Sequence, residues 1–542
     1  MPVLKKGVLF IDRKISRLRE GGLRFLLLKV KTCLNDLCLN IFAPLAVVLR
    51  LDWPSAYFFV GKKFVKKFKG ALAQAKPDLR LFRDTHDRAI AIMQQAVACT
   101  PKLDELQEWL DASKLLHGLL WIKTELGACR KICDRIVDVR RDLAEAHQLD
   151  RMNIVFLPRF LAFGALGAYE YLCTYIKAEE LSGGPVKQKI ILVDPKIPVN
   201  NYSYLNYWRR YVTVITDPAL IDRCCALEKC LTLPLSMLMP FRGKMRLSNF
   251  LSVGLIRECW EKEGRPPLLT LSAEDAVRGQ ACLRELGVPE GAWFVAFHVR
   301  EGSSKDKGGL SEDFRNADIG SYLSSMAAIT AAGGWVIRMG DPAMQPLTPM
   351  KGVIDYAHSS RKSDWMDVFL CARSRFFVGT SSGPYTVAMA FGVPVVATNY
   401  MSSYTMYCLT SKDIVLPRIC WSRSEGRYLS FHELISPPVG IATSQRIYDE
   451  LGLDIIPNTA EEITEAVIEM SRKCEGSLRD SEEDALLHRD FRAFSETCSL
   501  TYGDEKIPVN ARVGTAFLRK HAMLLDPARR TGRVEGGGSS LC

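Results

Sequence analysis

Two hydrophobic patterns succeed one another along the chain. Over residues 85–148 apolar positions recur at helical spacing, as in His86-Asp-Arg-Ala-Ile-Ala-Ile-Met93 and again from Leu115 to Ala128, with polar residues on the other faces. From residue 151 onward the pattern changes to short unbroken apolar runs separated by helical stretches. Met152-Asn-Ile-Val-Phe-Leu157, Ile190 to Val193 and Val212 to Ile215 read as buried parallel strands, since a strand covered on both faces needs no polar alternation. Between the first two lie a glycine-containing loop, Pro158 to Gly167, and a helix from Ala168 to Glu180. The alternation returns more clearly over 290–400. Strands are predicted at Trp293 to Phe297, Trp335 to Arg338, Phe376 to Val378 and Pro394 to Ala397, and helices at Ile319 to Ala331, Asp364 to Ala372 and Pro384 to Phe391. One more helix, over 459–473, opens on Thr459 with Glu461 and Glu462 in its first turn, a favourable cap.

Strands alternating with helices predict parallel sheets. The expected fold class is therefore α/β, a pair of Rossmann-type domains with an N-terminal helical extension. The chain of 542 residues is too long for one core. The segments predicted are a basic, amphipathic stretch over 1–70, a helical part over 71–150, a first Rossmann-like domain over 151–285, a second Rossmann-like domain over 286–475, a helical extension over 476–525, and a Gly/Ser/Arg-rich tail over 526–542 expected to be disordered. The helix lengths and the Pro101 break resemble a tetratricopeptide-type hairpin, though the full repeat signature is missing.

Charge sharpens this division. The net charge is +11, and residues 1–70 carry 15 Lys/Arg against 4 Asp/Glu, so the remainder is neutral with 57 of each sign. A nucleic-acid binder would spread its basic residues over a groove or face, so nucleic acid is excluded as a partner. The basic leader, with the apolar stretch Leu37 to Val48 inside it, suits peripheral contact with an anionic membrane; a helix packed on the protein with solvated lysines is the alternative. No run of 18 apolar residues predicts a spanning helix. The 17 cysteines show no C-x-x-C pairing, and reduced thiols used as small hydrophobes point to the cytoplasm.

The candidate chemistry falls at strand ends. After the strand at 376–378 comes the loop Gly379-Thr380-Ser381-Ser382-Gly383 and then a helix, a start that offers unpaired N–H groups to a diphosphate. Ordinary helix capping is the plainer explanation of the same residues. His298 and Arg300 leave the strand at 293–297, and Arg338 ends the strand at 335–338. Arginines at such ends can grip phosphate, although Arg338 could instead pair with an acid such as Asp367, and His298 could simply orient Arg300. Arg315 precedes a helix that Asp318 is expected to cap, and could reach the site from its loop. No D-x-D-like metal motif stands out, so no metal and no cofactor are expected.

Taken together these words resemble a family of bacterial glycosyltransferases encoded among surface-polysaccharide genes. The matching words are His298-Val-Arg-Glu, Arg315-Asn-Ala-Asp, Arg338-Met-Gly-Asp-Pro, Ile354-Asp-Tyr, Ser363-Asp-Trp-Met-Asp-Val-Phe-Leu, Gly379-Thr-Ser-Ser-Gly and Phe391-Gly-Val-Pro. More distantly, His-x-Arg at a strand end resembles the fucosyltransferase motif that grips a GDP-sugar, and Ser382-Gly-Pro resembles the heptosyltransferase donor loop. Glu301 stands where fucosyltransferases tend to carry a second Arg, and Ser381 and Tyr385 stand where heptosyltransferases have Asp and His. The resemblance implies a GT-B-like fold, with the acceptor domain over 151–285 and the donor-binding domain over 286–475, a nucleotide-sugar donor with a GDP-sugar favoured, and transfer to a glycan, lipid-linked or protein acceptor on the inner face of the membrane. In that reading Arg300, Arg338 and the 379–383 loop neutralise the leaving diphosphate, while Asp194 and His298 are the candidates for the base. A nucleotide-sugar epimerase of the same fold and a helical-repeat scaffold with a degenerate transferase domain are the rival readings.

Overall fold

The computed structural model describes residues 79–525, apart from 99, 102–104, 123–124, 150, 185, 233–234, 236–237, 248–249, 303–312, 402, 437, 441, 443–444 and 499–506. The basic segment over 1–70 and the tail over 526–542 lie outside the described residues. Two compact units divide at Val139 and Arg140.

In the first unit, helices α1 (Leu79–Ala98) and α2 (Leu106–Ile122) pack on each other, and the Trp109 indole N–H donates to the Val97 carbonyl at 3.2 Å. Helix α3 (Leu126–Ala146) follows and crosses the unit boundary. Its Cys129 and Cys133 are buried, and burial pushes both thiols up to about 12. They behave as small hydrophobes.

The second unit is mixed α/β with two separate parallel sheets, as expected of a pair of Rossmann-type domains. Strands β1 (Ile154–Phe156), β2 (Gln188–Leu192) and β3 (Val212–Ile215) pair in that order, all parallel. Helices α4 (Tyr169–Ser182), α5 (Tyr202–Trp208) and α6 (Pro218–Leu231) belong to this half. A hairpin, β4 (Leu238–Phe241) and β5 (Lys244–Leu247), comes next, then α7 (Phe250–Lys262) and α8 (Ala273–Glu285).

The larger sheet contains β6 (Phe294–His298), β7 (Trp335–Arg338), β8 (Val353–Asp355), β9 (Phe377–Gly379), β10 (Val395–Tyr400), β11 (Ile414–Pro417) and β15 (Arg512–Val513). Helix α9 (Leu323–Ala331) precedes β7, α10 (Asp364–Arg373) precedes β9, and α11 (Gly383–Ala390) joins β9 to β10. The spatial order is β15-β11-β10-β9-β6-β7-β8, with every pair parallel. From β6 the chain runs outward through β7 and β8, then returns to β9 and runs out the other way. The order therefore reverses between β6 and β9. A small antiparallel sheet of β12 (Ile419–Ser422), β13 (Arg427–Tyr428) and β14 (Leu453–Ile456) stands apart. Helices α12 (Ala460–Cys474) and α13 (Glu482–Thr497) follow, and α12 carries the expected cap, a full capping box between Thr459 and Glu462.

One continuous core runs through both sheets, from Val155 and Ile191 to Val295, Val396 and Leu518. The C-terminal stretch expected to be helical also supplies strand β15, which pairs with β11, so it completes the sheet edge.

Candidate functional site

Open parallel sheets bind ligands beyond the carboxyl ends of their strands, at the point where strand order reverses. Here that point lies between His298, at the end of β6, and Gly379, its partner on β9. A Cβ on Gly379 would sit 2.2 Å from the His298 carbonyl oxygen, so only glycine lets the two strands close at this spot. The chain then turns through Ser382 into α11. Ser382 occupies the cap position in extended backbone, yet its hydroxyl bonds no helix N–H. It meets His298 Nδ1 instead, at 3.0 Å. With Pro384 in the first turn, the positive end of α11 starts without a side-chain cap. Gly383 lies against the loop of the other half: a Cβ there would stand 2.9 Å from Leu166 Cβ.

Arg300, two residues past His298, is half-buried and fixed at both ends. Its backbone N–H donates to Thr380 Oγ1 at 3.0 Å, and its Nε donates to Asn316 Oδ1 at 3.1 Å. Arg315 reaches the same loop from the other side and donates from Nε to the Ser381 carbonyl at 3.0 Å. Asp318 caps the turn that follows, accepting from the Gly320 N–H at 2.9 Å. Beneath this loop sits Arg418, buried and unforeseen in the sequence. It donates to the Phe314 carbonyl at 2.8 Å, to the Asn316 carbonyl, and through Nε to Asn399 Oδ1 at 3.0 Å. Asn399 adopts φ +48, a left-handed conformation that Asn tolerates better than most residues, and also donates to the Tyr322 hydroxyl at 2.9 Å. A buried polar network thus holds the main chain that holds Arg300.

A pocket of about 80 Å³ opens beside these strand ends. Leu166 and Asn201 line it from the smaller-sheet half, and His298, Gly340, Asp367 and Pro384 from the larger. Asn201 also ties the halves together: its side-chain amide donates to the Asp364 carbonyl at 2.9 Å, while its Oδ1 caps α5 by accepting from the Tyr204 N–H at 2.7 Å. Burial lowers the His298 imidazole to about 4, and Arg338, Lys362 and Arg300 push the same way, so it is neutral at pH 7. Among the described residues its Nε2 makes no hydrogen bond. Asp367 is shifted in the opposite direction. Burial raises its carboxyl above the usual range, partly offset by Lys362, whose Nζ lies 3.1 and 3.0 Å from the two carboxylate oxygens. Both shifts favour the uncharged form, and two perturbed titratable groups lining one pocket mark a candidate site of chemistry.

Three expectations need correcting. Arg338 is fully buried and does not face the pocket as a phosphate clamp. Its guanidinium is spent on Glu301 and Asp355, each at 2.9 Å, and on the Gln345 carbonyl at 3.1 Å. Nor does it pair with Asp367, which takes Lys362. Thr380, 1% exposed, and Ser382, 6% exposed, turn inward to Arg300 and His298, so Ser381 is the loop hydroxyl residue left partly open. Asp194 is absent from the pocket lining; its Oδ1 accepts from the Lys196 N–H at 2.9 Å. Asp367, weighed in the sequence only as a partner for Arg338, stands in the stretch Ser363 to Leu370 and lines one pocket with Asn201. What the sequence lacked was their meeting across a fold.

No family model matches the chain, and no curated protein matches it in sequence. Among solved structures, a glycosyl transferase family 9 protein from Veillonella parvula aligns over 59% of this chain and 97% of its own, at 13% identity and a TM-score of 0.37. The iron-containing dodecameric glycosyltransferase TibC from enterotoxigenic Escherichia coli aligns over 45% of this chain and 57% of its own, at 16% identity and a TM-score of 0.25. The dodecameric iron-containing heptosyltransferase TibC in complex with ADP-D-beta-D-heptose aligns over 46% and 58%, at 15% identity and a TM-score of 0.25. The chain spans little more than half the length of the TibC chains, and the geometry of the site carries the reading that follows.

Proposed function

We propose that this chain is a glycosyltransferase that moves a sugar from a nucleoside-diphosphate donor, a GDP-sugar being favoured, to a glycan, lipid-linked or protein acceptor in surface-polysaccharide or glycoconjugate synthesis. One observation carries the reading: at the strand-order reversal the uncapped start of α11 opens on a pocket walled by both halves of the unit, and the backbone of Arg300 is tied to the same turn through Thr380. In this reading the helix start and the Arg300 guanidinium hold the diphosphate, where negative charge grows as the anomeric bond breaks. Arg315 braces the loop by its bonds to Ser381. In this reading the cationic elements do the work of a metal. The acceptor enters beside Leu166 and Asn201. The enzyme works at the inner membrane face through its basic leader.

The test begins with binding. A donor nucleotide at about 100 times its dissociation constant raises stability by about 2.7 kcal/mol, so a thermal-shift series with GDP-, UDP-, ADP-, CMP- and dTDP-sugars should single out one nucleotide. Arg300→Ala should then cut donor cleavage by about 10²–10³-fold. Wild-type turnover in that variant removes the reading. The His298 and Asp367 pair would also serve a nucleotide-sugar epimerase. Release of an epimerised nucleotide sugar, without acceptor dependence, decides for that class.

A further inference from the structure

One group in the pocket has no part in holding a diphosphate. Asp367 lies one turn into α10, whose N-terminus is already capped by Ser363, accepting from the Met366 N–H at 3.2 Å. Helix capping therefore does not explain it. Its carboxylate is half-buried, 27% exposed, and lines the pocket with Asn201 and Leu166, on the side where an acceptor would enter. His298 is tied instead to Ser382 at the start of α11, on the phosphate side. Lys362 holds both carboxylate oxygens and itself rests over the Tyr356 ring at 5.4 Å, so the carboxylate keeps one orientation.

We propose that Asp367 is the general base of the transfer, an assignment that rests on the glycosyltransferase reading. The acceptor O–H bond breaks and its proton passes to a carboxylate oxygen of Asp367. The freed electron pair on the acceptor oxygen forms the bond to the anomeric carbon. The bond from that carbon to the diphosphate oxygen breaks, and its electron pair leaves with the nucleoside diphosphate beside Arg300. When water is the acceptor the same step hydrolyses the donor.

The surroundings suit that role. Burial makes the carboxylate more basic than an exposed one, while Lys362 offsets part of that rise. Asp364 on its own helix adds to the raising effect and the Tyr356 hydroxyl opposes it. Cys371, one turn on, is a protonated thiol, and His298 faces the same pocket as a neutral imidazole. Tyr385 of α11 is likewise protonated and pairs with Tyr400. Asp275 and Arg278 of α8 engage Trp365 instead: the indole N–H donates to Asp275 at 2.7 Å and Arg278 stacks on the ring at 3.9 Å.

The experiment follows donor hydrolysis by the full chain, using the same five nucleotide sugars with water as acceptor. Asp367→Asn should lower kcat by about 10²–10⁴-fold and leave the donor-induced thermal shift intact. Lys362→Met removes the cation that favours the ionised carboxylate. The apparent pKa of Asp367 then rises, and the acid limb of the kcat/KM profile moves to higher pH, which a merely structural lysine would not cause. A kcat for Asp367→Asn within about threefold of wild type, or an unmoved acid limb in Lys362→Met, overturns the assignment. If the asparagine variant does not fold, the pH profile of Lys362→Met decides alone. An active wild type with an equally active Asp367→Asn sinks the base and leaves the transferase standing, whereas a wild type that binds and cleaves none of the donors sinks both.

Discussion

Arg300 and Arg338 leave neighbouring strands of one sheet, yet their charges go to different places. Arg338 lies opposite Phe297 in the strand register, inside the sheet; the loop after β7 folds back to bring Gln345 onto it, and Glu301, just past β6, bonds both Arg338 and the Gln345 N–H. Asp355 at the end of β8 completes the cluster, and His358 Nδ1 bonds its other oxygen at 2.8 Å. Burial would raise the Asp355 carboxyl, but the Leu347 N–H, His358 and Arg338 together hold it below its usual range. A buried arginine shared by two carboxylates is costly to remove, because the acids lose their counter-charge. Arg338→Met should therefore cost about 3 kcal/mol of stability, read from urea denaturation, with donor affinity per folded molecule little changed. A stable variant that no longer binds nucleotide would return Arg338 to the phosphate site. Sequence spacing alone could not separate these roles, since an arginine at a strand end looks the same whether it faces a cleft or a carboxylate pair.

Among the elements, the β9 turn into α11 was the most legible, because the loop composition, the glycines and the following apolar helix all agree. Its residues have different reasons from those the pattern suggested. Gly379 serves the close approach of β9 to β6, and Ser382 serves His298 rather than the helix end. Gly379→Ala should force the strands apart and cost about 1–3 kcal/mol, with donor affinity falling in step because His298 and Arg300 shift with β6. Thermal melting and a nucleotide titration of the same sample would check it; an alanine variant of wild-type stability would show that the strands are not held this close. Strands β8, β11 and β12 to β15 escaped the sequence reading. They are short, and β13 and β15 are two residues each, too brief for a hydrophobic period to register. Only the neighbouring strand makes them strands.

Across the molecule, the described part of the second unit is one folded body in which a single core joins the two parallel sheets. Beyond the shared core, Asn201 reaches Asp364, Gly383 packs on Leu166, and Tyr207 and Trp365 both donate to Asp275. The C-terminal stretch is equally part of it. Arg512 of β15 bonds Glu469 on α12 and pairs with Asp480, while Phe491, Val513 and Phe517 are buried in the common core. Ending the chain at residue 480 strips that strand and those side chains, so the shortened protein should lose its cooperative near-ultraviolet melt; a sharp transition would show that the fold does not need 481–525. The amino-acid sequence by itself determined the α/β class, most strand and helix positions of the larger sheet, and the pairing of a glycine-serine turn with Arg300, because local periodicity and turn chemistry act over a few residues. Tertiary structure decided which strand ends become neighbours, that Arg338 is neutralised while Asp367 and Asn201 share a pocket, and how far burial shifts His298. Those outcomes depend on contacts between residues far apart in the chain, and on the loss of water that such contacts bring.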